Sequence, residues 1–223
     1  MKLIIGNKAY SSWSMRGWLA CKQSGLSFEE LTVPLYGEDW DDVRVGENFA
    51  PSGGKVPILW DGETVIWDSL AIIDWLADKT HRDRFWPKDE TARGMARSMA
   101  AEMHSSFLAL RKTCPMNTRK QYEGLQFDEA VIQDADRILR LWAEARARFA
   151  KSGPYLFGTY GAADIMYAPI VSRFRTYGFQ LPGFAEAYMQ TILEHEWTVQ
   201  WMEAAEEEPW VIEKFDAPEE AGT

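Results

Sequence analysis

The chain has 223 residues, of which 46% are apolar and 26% charged, the proportions of an ordinary globular protein with enough length for one large or two modest cores. Those proportions exclude a disordered chain, a collagen and a small disulfide scaffold. No run approaches the roughly 18 uncharged apolar residues of a membrane span. The formal charge of -10 includes one basic and eight acidic groups within residues 203–223, so no continuous basic surface is offered to nucleic acid.

Residues 2–6, KLIIG, read as a short strand ending at Gly6. Trp13 to Ser24 reads as a helix closed by Gly25, and FEELTVPL (28–35) as a second strand. The polar stretch 37–48 reads as a loop with a short helix. KVPILWDGETVIW (55–67) is the strongest local signal: two apolar runs flank Asp61-Gly62, a pair suited to a tight hairpin turn. A helix follows from Ser69. The polar segment 80–88, with its proline, reads as a linker between a domain of residues 1–79 and a second of residues 89–223. Beyond it, helices are expected at about 89–113, 127–151, 162–177, 182–194 and 196–206. The fold class is therefore a small α/β domain followed by an all-α domain. Trp18, Trp60, Trp67, Trp75 and Trp142 sit among apolar periodic neighbours and are expected in the core.

Cys21 and Cys114 stand 93 positions apart without a CxxC partner, and His81, His104 and His195 show no ligand spacing, so no metal is expected. With no signal-peptide organisation at the start, the cytoplasm is the expected location. Ser11 and Ser12 lie between the first strand and first helix, where a hydroxyl either caps the helix or joins its N–H groups in holding an anion. Val56-Pro57 carries the bond type that adopts cis, with an extended residue before it that suits a peptide-like ligand. Asp68-Ser69 opens the next helix, as a cap or as a pair for an ammonium and a carboxylate. Asp164, three residues after Gly161, suits a capping box and a role in folding. His104, Phe107 and Arg111 share one helix face by spacing, packing on a neighbour or lining a pocket in which Arg111 receives an acidic substrate. Of Arg173 and Arg175, at most one faces such a pocket. The acidic tail from Pro209, with Trp210, Val211, Ile212 and Phe215, either folds back as a flap or frays.

Taken in order, SSWSMR, GGKVPIL and DSLAIIDWLAD resemble the cytosolic glutathione transferases, and GAADIMYAPIVSRFRTYG extends the resemblance into the helical half. It implies a bacterial, serine-type enzyme with a thioredoxin-like N-terminal domain and an all-helical C-terminal domain. It also implies glutathione as co-substrate, a small electrophilic partner, a homodimer, a detoxifying conjugation and no metal. By position, Ser11 would be catalytic and donate to the glutathione thiolate, while Lys55 would reach the glycyl carboxylate. Val56 would pair with the cysteinyl backbone across a cis Pro57, and Asp68 and Ser69 would hold the γ-glutamyl amine and carboxylate. Trp13 stands where the isomerising zeta class has cysteine, and Asp68 where the family usually has glutamate. The resemblance leaves two alternatives to conjugation: a zeta-type cis-trans isomerase of the maleylacetoacetate kind, or a non-catalytic binding protein.

Overall fold

The computed structural model describes residues 1–216. Four strands, β1 (Lys2–Gly6), β2 (Glu29–Val33), β3 (Ile58–Asp61) and β4 (Thr64–Trp67), form one sheet in the order β2-β1-β3-β4. β1 runs parallel to β2, as a crossover through helix α1 (Ser12–Ser24) requires, while β3 and β4 run antiparallel. Gly62 sits in the β3–β4 turn at φ +60°, a conformation glycine adopts without steric cost.

The two faces of the sheet are covered differently. α1 and α3 (Ser69–Lys79) pack on one face, joining Leu3, Ile5 and Leu59 to the main core. On the other, Ile4, Val33, Phe49 and Ile58 form a smaller cluster against Trp40 of the short helix α2 (Trp40–Val43). The alternation along β1 thus feeds two cores, as a strand with both faces covered should.

The second half is helical: α4 (Glu90–Ser105), α5 (Leu108–Thr113), α6 (Glu129–Phe149), α7 (Ala162–Thr176), α8 (Gly183–Leu193) and α9 (Glu196–Glu207). α7 is its axis. Every residue of it except Arg175 is buried, the state expected of a helix surrounded by others. Trp142 of α6 meets Tyr167, Phe174 and Tyr188 edge-on, at centroid separations of 5.8, 5.7 and 4.7 Å.

Two expectations need correction. The helix expected over 89–113 is two, because Ser106 is extended and Phe107 left-handed at φ +62°. The exposed ends are satisfied from elsewhere: Arg111 Nη1 donates to the carbonyls of Met103, His104 and Ser106, and the Leu110 N–H donates to Asp134. Segment 80–88 is docked rather than solvated, with Phe85 and Trp86 buried and the Phe85 carbonyl accepting from Ala162 N–H at 2.8 Å. Trp67 is 47% exposed, since it follows Ile66 on a strand and points to the opposite face. Trp60 and Trp75 are half-buried, and Trp18 and Trp142 are core.

The tail folds back. The Glu208 carboxylate accepts from the N–H groups of Lys8 (2.7 Å) and Ala9 (3.3 Å), and Arg119 donates to the carbonyls of Ala205, Glu208 and Trp210. Phe215 packs on Tyr10 and Tyr36, and Tyr10 Oη donates to Asp216 at 2.9 Å. The expectation of a flap also touches residues 217–223, which lie outside the described residues.

Asp164 caps α7 as the spacing suggests, accepting from Gly161 N–H (3.0 Å), Leu156 N–H (3.1 Å) and Tyr188 Oη (3.0 Å). Burial nevertheless raises its pKa from 3.8 to about 6. The folded state therefore holds this proton more tightly than the unfolded chain, and the group's contribution is complete below pH 3.8 and lost as pH rises through about 6. Asp164→Asn loses one acceptor oxygen, at a cost of about 2 kcal/mol near neutral pH, and lacks that pH-dependence. Urea denaturation should show the stability gap between the parent and this variant narrowing from pH 4 to pH 6.5 by roughly 2–3 kcal/mol. A gap independent of pH contradicts the assignment.

Candidate functional site

A cavity of about 610 Å³ opens where α1, the β2–β3 connection, the start of α3 and α4 meet. Ser11, Lys55, Val56, Asp68 and Ser69, drawn from three separate stretches of sequence, all stand on its wall.

Ser11 is the N-cap of α1, with extended backbone, and its Oγ accepts from the Ser14 N–H at 3.2 Å. The two serine hydroxyls are 2.7 Å apart, and Ser14 Oγ also accepts from the Gly6 N–H at 2.9 Å, which ties the cap to the end of β1. The first turn of α1 carries no acidic side chain, so its N–H groups present uncancelled positive charge to the cavity. Ser12 faces the other way: its Oγ accepts from Arg173 Nη2 at 3.4 Å, and it is not among the cavity-lining residues. Capping and lining are thus not alternatives for Ser11; it does both.

The opposite wall is the loop before β3. Its backbone turns at Gly53 and Gly54, the Lys55 N–H donates to Ser52 Oγ at 3.0 Å, and the Val56-Pro57 bond is cis. A Cβ at Gly17 would lie 2.8 Å from two ring carbons of Pro57, so α1 approaches this loop as closely as only glycine permits.

The third wall starts at Asp68, a left-handed residue at φ +77° that caps α3 through Oδ1 on the Leu70 N–H at 2.8 Å. Its Oδ2 lies 3.2 Å from His104 Nε2. Ser69 beside it is buried, and its Oγ has no hydrogen-bond partner although the residue lines the cavity. An orphaned buried hydroxyl costs about 1–3 kcal/mol unless a ligand completes it, the signature of a polar binding site.

The spacing left His104 between packing on a neighbour and lining a pocket; it lines the cavity, paired with Asp68 and edge-on to Trp13 at 5.3 Å. Phe107, grouped with it by spacing, is core, and Arg111 is spent on helix carbonyls and does not line the cavity. Arg173 is buried and Arg175 exposed, and neither reaches the wall. Tyr36, Trp40 and Trp67 complete the lining and were missed. Only the exposed side of a strand or loop could have flagged them.

Chemically, the cavity sets a carboxylate (Asp68), a bare hydroxyl (Ser69) and an ammonium (Lys55) around a helix N-terminus. That set matches an elongated ligand with an amine, two carboxylates and an anionic centre. The aromatic lining suits an apolar reactant beside it.

Residues 10–79 match the family model described as "Glutathione S-transferase, N-terminal domain", and residues 119–207 match "Glutathione S-transferase, C-terminal domain". The chain is 28% identical over 193 residues to Glutathione S-transferase 1 of Dianthus caryophyllus, covering 82% of each. Its fold is similar to a holo maleyl pyruvate isomerase, a bacterial zeta-class protein (TM-score 0.68, 24% identity, 95% and 100% of the two chains). It is also similar to a glutathione transferase homolog from Burkholderia gl BGR1 with bound glutathione (TM-score 0.66, 20% identity, 92% and 97%).

The α1–Pro57 approach gives a direct test of how the walls are held. Gly17→Ala gains about 1 kcal/mol of helix propensity but forces a methyl into a rigid ring, an overpacking cost of about 1–3 kcal/mol. A net fall in melting temperature is expected. A rise would show that α1 is free to move away from the loop.

Proposed function

The chain belongs to the glutathione S-transferase family and is a glutathione-dependent enzyme, and from its cavity we propose a serine-type conjugation in which Ser11 stabilises the thiolate. The observation that carries this reading is the gathering of Ser11, Lys55, Val56, Asp68 and Ser69 on one wall system, with the buried Ser69 hydroxyl unpartnered. Glutathione carries charges of the matching kinds. The γ-glutamyl amine meets Asp68, its carboxylate meets Ser69 at the start of α3, and the glycyl carboxylate meets Lys55. Val56, joined to Pro57 by the cis bond, takes the cysteinyl backbone.

That placement sets the sulfur beside Ser11. A free thiol has a pKa of about 8.5, so few molecules are ionised at pH 7, and a shift of about two units corresponds to some 2.7 kcal/mol. A hydrogen bond to the anion and the α1 N-terminus together supply an effect of this order. Ser14 has a part here. Ser11 Oγ donates to Ser14 Oγ, 2.7 Å away, which holds the hydroxyl at the helix start until its proton turns from Ser14 to the bound sulfur. The S–H bond breaks with its proton leaving to water, and the sulfur lone pair forms a C–S bond to the electrophile. The leaving group departs with its bonding electrons.

A small apolar electrophile suits the lining of Trp13, Tyr36 and Trp40. Homodimerisation and a cytoplasmic location belong to the same proposal. An exposed Trp67 and a groove of about 440 Å³ between α3 and α4 support the first, and two buried free cysteines fit a reducing compartment. Light scattering at micromolar concentration should give twice the 25.6 kDa of one chain; a single-chain mass rules out the dimer.

Two sets of variants test the site. Ser69→Ala and Asp68→Asn should each weaken glutathione binding by roughly 10- to 150-fold in calorimetry, the value of a hydrogen bond to a charged group. Unchanged affinity in both would place the ligand elsewhere. Ser11→Ala should retain glutathione while the ultraviolet thiolate titration moves up by about one to two units. Turnover of an aryl halide should fall by about 10- to 100-fold. Ser12→Ala should leave the titration in place, and the reverse pattern would exchange the two serines.

A further inference from the structure

Behind the first turn of α1 lie three guanidinium groups with no counter-charge beside them. Arg16 is 0% exposed and Arg173 5%, while Arg111 is half-buried. None forms an ion pair among the described residues. Their donors go to neutral oxygens instead. Arg16 Nε donates to the Met166 carbonyl (2.9 Å) and Nη1 to the Ser12 carbonyl (3.4 Å), while the buried Nη2 has no partner. Arg173 Nε donates to the Cys114 carbonyl (2.8 Å) and Nη2 to Ser12 Oγ (3.4 Å). Arg16 and Arg111 stand 4.8 and 4.2 Å from the centroid of Trp13, a cavity-lining residue.

Burying like charges together is costly. Burial first, and then repulsion from Arg173 and Arg111, hold the Arg16 pKa well below its ordinary value, and burial and Arg111 bring Arg173 down to about 10. At about 10, Arg173 remains charged at pH 7, and guanidinium groups in proteins are effectively always protonated. The groups facing them do little to compensate. Tyr167 and Tyr177 are phenols whose pKa values burial raises, the Cys114 thiol is pushed up to about 12, and Asp68 offsets Arg16 least of its neighbours. A charge cluster of this kind is held by the fold and relieved when an anion arrives nearby.

We propose that Arg16, Arg111 and Arg173 form a positioning cluster for the reaction, making the Ser11 end of the cavity positive and so favouring the glutathione thiolate. The inference rests on the functional reading above and adds to it a source of thiolate stabilisation from the helical domain. The three side chains touch neither sulfur nor electrophile. They act through the field at the first turn of α1, where Arg16 and Arg173 both bond to Ser12, the neighbour of Ser11.

A purely structural cluster would change stability and leave the thiol titration alone, which makes that titration the deciding measurement. Glutathione bound to the parent protein, Arg173→Met, Arg173→Lys and Arg111→Met is titrated by thiolate absorbance, with circular dichroism to verify folding. A unit charge about 10 Å away at an effective dielectric near 20 shifts a thiol by roughly one pKa unit, and loss of one of these charges should raise the bound thiol pKa by an amount of that order. Arg173→Met and Arg111→Met should both show such a rise, and Arg173→Lys, which keeps the charge, should stay near the parent. A folded Arg173→Met that binds glutathione with an unmoved thiol pKa overturns the inference. Should that variant not fold, an unmoved pKa in Arg111→Met does so. A parent protein that fails to bind glutathione at all overturns the functional reading instead.

Discussion

Helix α1 lies against Pro57 at Gly17 on one side and against α7 through Arg16 on the other, and the place of Ser11 follows from both contacts. The first contact sets the distance between the helix N-terminus and the Lys55–Val56 edge of the cavity. The second fastens the same helix to the buried axis of the helical half. A helix N-terminus on a mobile segment would scatter its field over many directions; one clamped between two cores aims it at one point. The remaining walls are assembled around that fixed element. α3 packs on α1, and its capping residue Asp68 meets His104 across the cavity from α4.

Polar groups around the cavity are left incompletely satisfied in a consistent manner. Ser69 Oγ, His104 Nδ1 and Arg16 Nη2 are all buried without partners, and all belong to residues on or directly behind the cavity wall. Buried polar atoms without partners also lie away from the cavity, at Trp86 Nε1, Thr118 Oγ1, Trp142 Nε1, Tyr160 Oη and Thr198 Oγ1 among others, so an orphaned atom does not by itself mark a site. What sets Ser69 apart is that its orphaned hydroxyl lines the cavity beside the Asp68 carboxylate.

Most of the fold was legible because its signals are local. Asp61-Gly62 between apolar runs specified the hairpin, and the apolar periodicity of residues 69–77 specified α3. What was not legible depends on distant partners. The break at Phe107 needs Arg111 and Asp134 to absorb the loose helix ends, and no window of sequence around residue 107 announces that. Trp67 looked like core because it is large and apolar, yet a two-residue period places it opposite Ile66. In the site, Ser11, Lys55, Val56, Asp68 and Ser69 were individually weak signals, each explicable as a cap or strand start, and their joint assignment came from resemblance to a family rather than from the residues alone. The choice for His104 between packing and lining a pocket was not legible, because only the packing of α4 against the start of α3 brings it to Asp68.

The Glu208 carboxylate that closes on the N–H groups of Lys8 and Ala9 joins positions 200 residues apart. Lys8 and Ala9 belong to the loop that leads into the Ser11 cap, so during synthesis this loop acquires its carboxylate partner only after 200 further residues have followed. During synthesis the N-terminal sheet has its hydrophobic partners close in sequence, whereas the approach to Ser11 does not. The order of translation therefore leaves the carboxylate contact to this loop to form late, after the partners at Glu30, Leu35 and Thr118 have become available.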